Sequence, residues 1–307
     1  MGEATCINAE AAILALGVAE AEQLYLSNKI YPPIQKEAFE WTTRQCSDRW
    51  KIVQWVNGKD AVLNAQKLGL GEEVMYGILA VDKTNPSLFT AFIRGTESVI
   101  EWAEDVEFLL VDNDEMGSSV EDGFFSVFSS LTIEDIPLRD WVRQNLLKID
   151  NVKITIACHS LGSAIGCYSA ALIGKDAIEL KQAPVRLMAF ACPKPGDIKL
   201  AAFMADHIAS NSRVYNYERD VVPKLPPFDD FSNPPNVVIL KVNPAVDIPD
   251  NPISNHLLAA YEALLDPAFI PALNSANIMD VFENKKLTLQ SVRSFFVSAL
   301  NALKTFF

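Results

Sequence analysis

The sequence predicts an α/β fold with a mixed, mostly parallel central sheet flanked by helices, on three observations. From Val152 onward, apolar β-rich runs alternate with helical patterns. Nearer the N-terminus, the runs Tyr76–Asp82 and Leu88–Arg94 are separated only by Thr84-Asn85-Pro86-Ser87 and its flanks. A third strand, Val152–Cys158, passes directly into a helix through His159-Ser160-Leu161-Gly162. Strand–helix alternation requires parallel strands joined by crossovers, whereas a tight turn joins an antiparallel pair, so the sheet is mixed.

Each element follows from its pattern. Asn8–Ser27 spaces Ile13, Leu14, Val18, Ala21, Leu24 and Tyr25 as one buried face of a helix, and Pro32 and Pro33 open a second helix to about Cys46. The hairpin follows, its turn supplied by Asn85 and Pro86. Ser98 with Glu101 three residues later is a capping box for a short helix through about Glu104. Val106–Val111 reads as a strand, and Gly123–Leu131 and Pro137–Ile149 as helices. The alternating part then gives helices at Leu161–Ile173, Ile198–Ser210 and Ser254–Leu265, with strands at Val185–Ala191, Val214–Tyr217 and Val237–Val242. Pro223–Pro235, with five prolines and two phenylalanines, is an ordered loop without regular structure.

Residues 1–270 form one domain, with residues 8–46 as its N-terminal helices, and residues 271–307 are a helical extension packed on it. In that extension Val292, Phe295, Phe296, Ala299, Leu300, Leu303 and Phe307 make an apolar stripe suited to docking on the core. The alternative is a face that touches a membrane or partner.

Half of the 307 residues are apolar and 21% are charged, enough for a sizeable core. The formal net charge of −13, with no basic cluster, excludes a nucleic-acid partner and disfavours anionic bilayers, leaving neutral or zwitterionic lipid surfaces. No run reaches the roughly 18–20 apolar residues of a membrane span. Ala9–Ala19 lacks a basic flank and contains Glu10, unlike a signal peptide. The chain therefore reads as soluble, cytoplasmic if complete and secreted if a leader has been removed. Cys6, Cys46, Cys158, Cys167 and Cys192 show no paired metal spacing, and no metal or organic cofactor is implied. Three of them sit in apolar runs as buried thiols, and a Cys6–Cys46 bridge is an alternative to reduced thiols at those two positions.

Chemistry concentrates at Cys158-His159-Ser160-Leu161-Gly162. A serine at a tight strand-to-helix turn holds its hydroxyl above the sheet edge, at the N-terminus of the following helix. The simplest alternative is a serine that only caps the helix. A nucleophilic serine needs a base and an orienting acid. Of the three histidines, His159 adjoins the serine and points away from it, and His207 lies in a predicted surface helix. His256, after the last strand and at the start of a helix, is the candidate base. The acid should fall between serine and histidine, and Asp220, just past a strand and before Val221-Val222-Pro223, suits it best. Asp247 and Asp250 are the runners-up.

Several segments together resemble the class 3 lipase family of α/β hydrolases. They are Phe92-Ile93-Arg94-Gly95-Thr96, Glu101-Trp102-x-x-Asp105, Asp122-Gly123-Phe124, Cys158-His159-Ser160-Leu161-Gly162-Ser163-Ala164, Cys192-Pro193-Lys194-Pro195-Gly196-Asp197, Asp220-Val221-Val222-Pro223 and Asn255-His256, in the family's order. The resemblance implies an α/β-hydrolase fold and a serine ester hydrolase cleaving acylglycerols through Ser160, Asp220 and His256. A phospholipase A1, an esterase of soluble esters and an inactive lipase-like binding domain are the alternatives. It also implies an oxyanion hole from the backbone N–H groups of Thr96 and Leu161, and a brace at Asp105. The helix carrying Val99, Ile100 and Trp102 would stand where the family has its lid, or be a static surface helix. Phe124, with Phe125, Phe128, Phe228 and Phe231, would line an acyl groove or pack in the core. Two departures stand out: Cys158 where the family's elbow has glycine, and Glu121 where it often has histidine.

Overall fold

The computed structural model describes residues 2–28, 41–59, 73–95, 108–246 and 248–266. Eleven strands are seen among them: β1 Trp50–Lys59, β2 Glu73–Asp82, β3 Leu88–Ile93, β4 Leu110–Asn113, β5 Ser118–Glu121, β6 Thr132–Ile133, β7 Ile136–Pro137, β8 Lys153–His159, β9 Arg186–Phe190, β10 Arg213–Tyr217 and β11 Val237–Leu240. Nine form one sheet in the order β11-β10-β9-β8-β3-β2-β1-β6-β7, while β4 and β5 form a separate ribbon. β3, β8, β9, β10 and β11 run parallel, and β1 and β2 continue the sheet antiparallel.

The helices are α1 Gly2–Asn28, α2 Arg44–Arg49, α3 Asp122–Ser130, α4 Leu138–Asn145, α5 Leu161–Glu179, α6 Ile198–His207, α7 Pro252–His256 and α8 Leu258–Leu265. They cover both faces of the sheet. Strand alternation divides the core accordingly. Ile154, Ile156 and Cys158 of β8 and Leu187 and Ala189 of β9 pack with α3, α4, α5 and α6. Ala157, Met188 and Phe190 face the other way, onto α1 and α8. Helix α5 is buried along nearly its whole length and lies directly behind β8. Its far end is tied to α4, where the buried Asp176 accepts two hydrogen bonds from Arg139 (2.7 and 2.9 Å) and one from Arg143 (2.7 Å).

Several elements differ from the sequence expectation. Strand β1 escapes the pattern because its register shifts at Ile52/Gln54 and Val56/Asn57, which breaks the two-residue alternation. Within the described part of the strand expected at Val106–Val111, which starts at residue 108, the strand is Leu110–Asn113, set by pairing with β5 across a turn that contains Gly117 at φ 59°. The helix expected up to Cys46 begins, in its described part, at Arg44, where Thr43 caps it. The single helix expected at Ser254–Leu265 is two, because Leu257 is extended (φ −64°, ψ 141°). His256 therefore ends a short helix rather than starting a long one. Cys46, Cys158, Cys167 and Cys192 are buried free thiols, so Cys46 takes the reduced alternative. The helices expected at 98–104 and in 271–307 lie outside the described residues. Among the described residues, no helix is long and apolar enough to cross a membrane.

Glu121, at the end of β5, caps α3 by accepting the Phe124 N–H at 2.7 Å. Its burial pushes the carboxyl from 4.5 up to about 7, against the backbone N–H groups of Phe124, Gly123 and Leu109. An acid whose folded pKa is raised leaves its stability intact below the unfolded value and loses it as pH rises through the folded one. We expect unfolding free energy from urea titration to fall by on the order of 3 kcal/mol from this group as pH rises from 4.5 to 7. Glu121→Gln should remove that component, and identical pH profiles for the two proteins would contradict the assignment.

Candidate active site

The turn between β8 and α5 puts Ser160 at φ 57°, ψ −130°, a conformation that non-glycine residues rarely adopt. Neighbouring backbone holds it there. The Ser160 N–H donates to the Phe190 carbonyl (3.0 Å), the Ser163 N–H donates back to the Ser160 carbonyl (2.8 Å), and the Ser163 hydroxyl also reaches Phe190 O (2.8 Å). Gly162 is required by close approach: a Cβ there would strike the Arg94 carbonyl oxygen and lie 2.9 Å from that of Ile93. The chain leaving β3 is thus laid against the serine turn.

Asp220 follows β10 and is fully buried. One carboxylate oxygen accepts the Val222 N–H at 3.0 Å, within a tight turn over Val222–Lys224. The other lies 2.9 Å from His256 Nδ1 and accepts the Tyr261 hydroxyl at 2.7 Å. His256 Nε2 lies 2.9 Å from Ser160 Oγ. The carboxylate accepts Nδ1–H, which leaves Nε2 as the acceptor for the serine hydroxyl. This chain can move a proton from Ser160 to His256 as the oxygen attacks an electrophile, while the buried carboxylate stabilises the imidazolium.

The fold brings together Ser160, Asp220 and His256. Leu161 is the first residue of α5, so its N–H has no acceptor within the helix and stands beside the serine. Thr96, Val99, Ile100, Trp102 and Asp105 lie outside the described residues. Phe124 is fully buried in the core, without a solvent-facing surface, and Phe125 and Phe128 pack against Tyr168. Phe231 is buried beside Phe108, and Phe228 is partly exposed. Of the other candidates, Asp247 lies outside the described residues, and three are engaged elsewhere. Asp250 pairs with Arg219 (3.5 Å), Asp197 caps α6, and His207 Nδ1 lies 2.7 Å from the Phe203 carbonyl.

Two contributors, Tyr261 and Arg94, were not found in the sequence, whereas the small Gly166 behind the elbow was legible there. Tyr261, inside an apolar helical run, looks like core, yet its hydroxyl both donates to Asp220 and accepts the Tyr217 N–H (3.1 Å). Burial pushes that phenol well up, so it stays a donor. Arg94 is buried with its guanidinium 3.5 Å from the Tyr25 ring centroid, and donates to the carbonyls of Met75 and Gly95 (2.7 Å each), fixing the chain that leads to Thr96. Gly166 accommodates the cysteine at the elbow, because a Cβ there would come within 2.5 Å of Cys158 Sγ.

A mixed sheet whose parallel strands end in a left-handed serine turn, hydrogen-bonded to a histidine and a buried aspartate, defines an α/β hydrolase with a serine triad arrangement. Residues 90–230 match the family model for lipase (class 3). Over that segment the chain is similar to the class 3 lipase family. Phospholipase A1-II 3 of Oryza sativa subsp. japonica is 28% identical over 194 residues, covering 55% of this chain and 46% of the rice protein. Phospholipase A1-IIgamma of Arabidopsis thaliana is also 28% identical, over 201 residues, with 55% and 46% covered. The chain thus spans about half the length of these plant relatives. Among solved structures, the Rhizomucor miehei lipase propeptide complex superposes with a TM-score of 0.56 at 20% identity, covering 74% of this chain and 67% of that one. Lip2 lipase from Yarrowia lipolytica gives 0.54 at 14% identity, covering 83% and 84%. At these identities the structural likeness concerns the fold.

Two outcomes follow from the packing. Gly166→Ala should cost about 1–3 kcal/mol in thermal or urea unfolding. Cys158→Gly in the same chain should recover most of that loss, and strictly additive effects in the double-mutant cycle would refute the contact. Tyr261→Phe should lower kcat for ester hydrolysis by ~10-fold with little change in KM, since it removes one hydrogen bond to a charged carboxylate. An unchanged kcat would show that Asp220 needs no such support.

Proposed function

We propose that the protein is a carboxylic ester hydrolase that cleaves acylglycerol esters through an acyl-enzyme. The observation that carries this reading is the unbroken hydrogen-bond chain from Ser160 Oγ through His256 to the buried Asp220, 2.9 Å at each link. Ser160 attacks the ester carbonyl, and His256 takes its proton and later passes it to the leaving alcohol. Asp220 keeps His256 in the tautomer that accepts from the serine. Water, activated by the same histidine, then releases the fatty acid. The oxyanion is assigned to the N–H groups of Leu161 and Thr96, where fixed donors stabilise the developing charge most. The substrate is assigned to a neutral or zwitterionic lipid interface, in keeping with the net charge of −13. Val99, Ile100 and Trp102 are assigned to a lid over that site.

The names of the plant relatives favour a second reading, a phospholipase A1 acting on the same scaffold. The two differ in headgroup, not in chemistry. Comparing rates on a triacylglycerol emulsion, on phosphatidylcholine vesicles and on a chain-length series of p-nitrophenyl esters separates them, and separates both from an esterase of soluble esters.

A fluorophosphonate probe is expected to label Ser160 in the folded protein. Ser160→Ala should abolish labelling and lower ester hydrolysis by at least ~10³-fold. Folded protein that takes no label and cleaves no ester would overturn the reading in favour of a lipase-like binding domain.

A further inference from the structure

His159 precedes the candidate nucleophile and does not face it. Strand alternation carries its side chain to the Ala157 side of the sheet, the side on which α8 packs. There it meets the other histidine of the site. The two imidazole centroids are 4.7 Å apart with planes tilted by 34°, and the Tyr261 ring stands edge-on to His159 at 6.4 Å. His159 Nε2 lies 2.9 Å from the main-chain carbonyl oxygen of His256. A carbonyl only accepts, so His159 donates Nε2–H.

That carbonyl belongs to the last residue of α7, where a helix leaves its carbonyls without partners. Helix α7 has only five residues, and the chain turns extended at Leu257 immediately afterwards, so the helix by itself holds its end weakly. Asp220 fixes one ring nitrogen of His256, but one hydrogen bond leaves the ring free to swing about it. A second anchor on the main chain of the same residue, with a ring laid against the imidazole, removes that freedom.

We propose that His159 is a positioning residue, which fixes the backbone and ring plane of His256 so that Nε2 meets Ser160 Oγ while Nδ1 stays on Asp220. This rests on the triad reading above. It gives the histidine of the Cys158-His159-Ser160-Leu161-Gly162 turn a task that its place in the sequence does not reveal. The donor required is neutral: when His256 takes up the serine proton, a second cation against its ring would oppose the charge. Glutamine at 159 supplies a neutral N–H as many bonds from Cα as histidine Nε2, asparagine falls one bond short, and phenylalanine keeps a ring without a donor.

The test compares His159→Gln, His159→Asn and His159→Phe with the native protein on p-nitrophenyl butyrate, with unfolding midpoints measured alongside. We expect His159→Asn and His159→Phe to lose ~10–100-fold in kcat with KM within about twofold, because a small displacement of a reacting group is costly. His159→Gln should stay within about threefold of the native kcat. The proposal is overturned if folded His159→Phe or His159→Asn keeps native kcat, if glutamine fares no better than asparagine, or if the loss appears in KM. Ser160→Ala separates the two levels: ester hydrolysis within about tenfold of native in that variant overturns the triad and this proposal together. An inactive Ser160→Ala beside a fully active His159→Asn overturns the role of His159 alone.

Discussion

The site depends on one strained turn. Ser160 sits at positive φ between a buried strand and a buried helix, a conformation that costs on the order of 1–3 kcal/mol and persists only where the surroundings over-determine it. They do so from three directions. β9 supplies the Phe190 carbonyl to both Ser160 and Ser163, α5 closes the turn through Ser163, and the chain leaving β3 packs where only a glycine at 162 leaves room. The hydroxyl direction is therefore a consequence of sheet and helix packing rather than of a loop.

Parallel strand order explains why distant residues converge. β3, β8, β9 and β10 run the same way, so their C-terminal ends share one edge of the sheet. Ser160 leaves β8 at that edge, Asp220 follows β10, and Gly95 follows β3. His256 comes last, beyond β11, on the least regular support of the group. It is held at three points, by Ser160 and Asp220 on its ring nitrogens and by His159 on its carbonyl. Tyr261 secures Asp220 from α8, the helix immediately after the break at Leu257.

The two departures from the family pattern are each answered by a local partner. Cys158 fills the space behind the elbow that Gly166 leaves vacant, so a larger residue at one position is matched by the smallest at another. Glu121 replaces the family's frequent histidine and caps α3, but at the expense of burying an acid. That substitution ties local stability to pH without touching Ser160, His256 or Asp220.

Much of this was legible in the sequence because its physics is local. Strand–helix alternation, the turn around Ser160, a proline-stiffened turn after Asp220 and a short supply of histidines require only neighbours along the chain. Strand β1 was not legible, since its bulges break the alternation that marks a strand. The split of the last helix was not legible either, since nothing in Ser254–Leu265 forbids a continuous helix. The sequence by itself determined the fold class and singled out Ser160, Asp220 and His256. Only the tertiary structure decided that Phe124 is core and that Tyr261 and His159 brace the site. Each of these is a contact between segments far apart in the chain, and its energy depends on which groups the fold buries together.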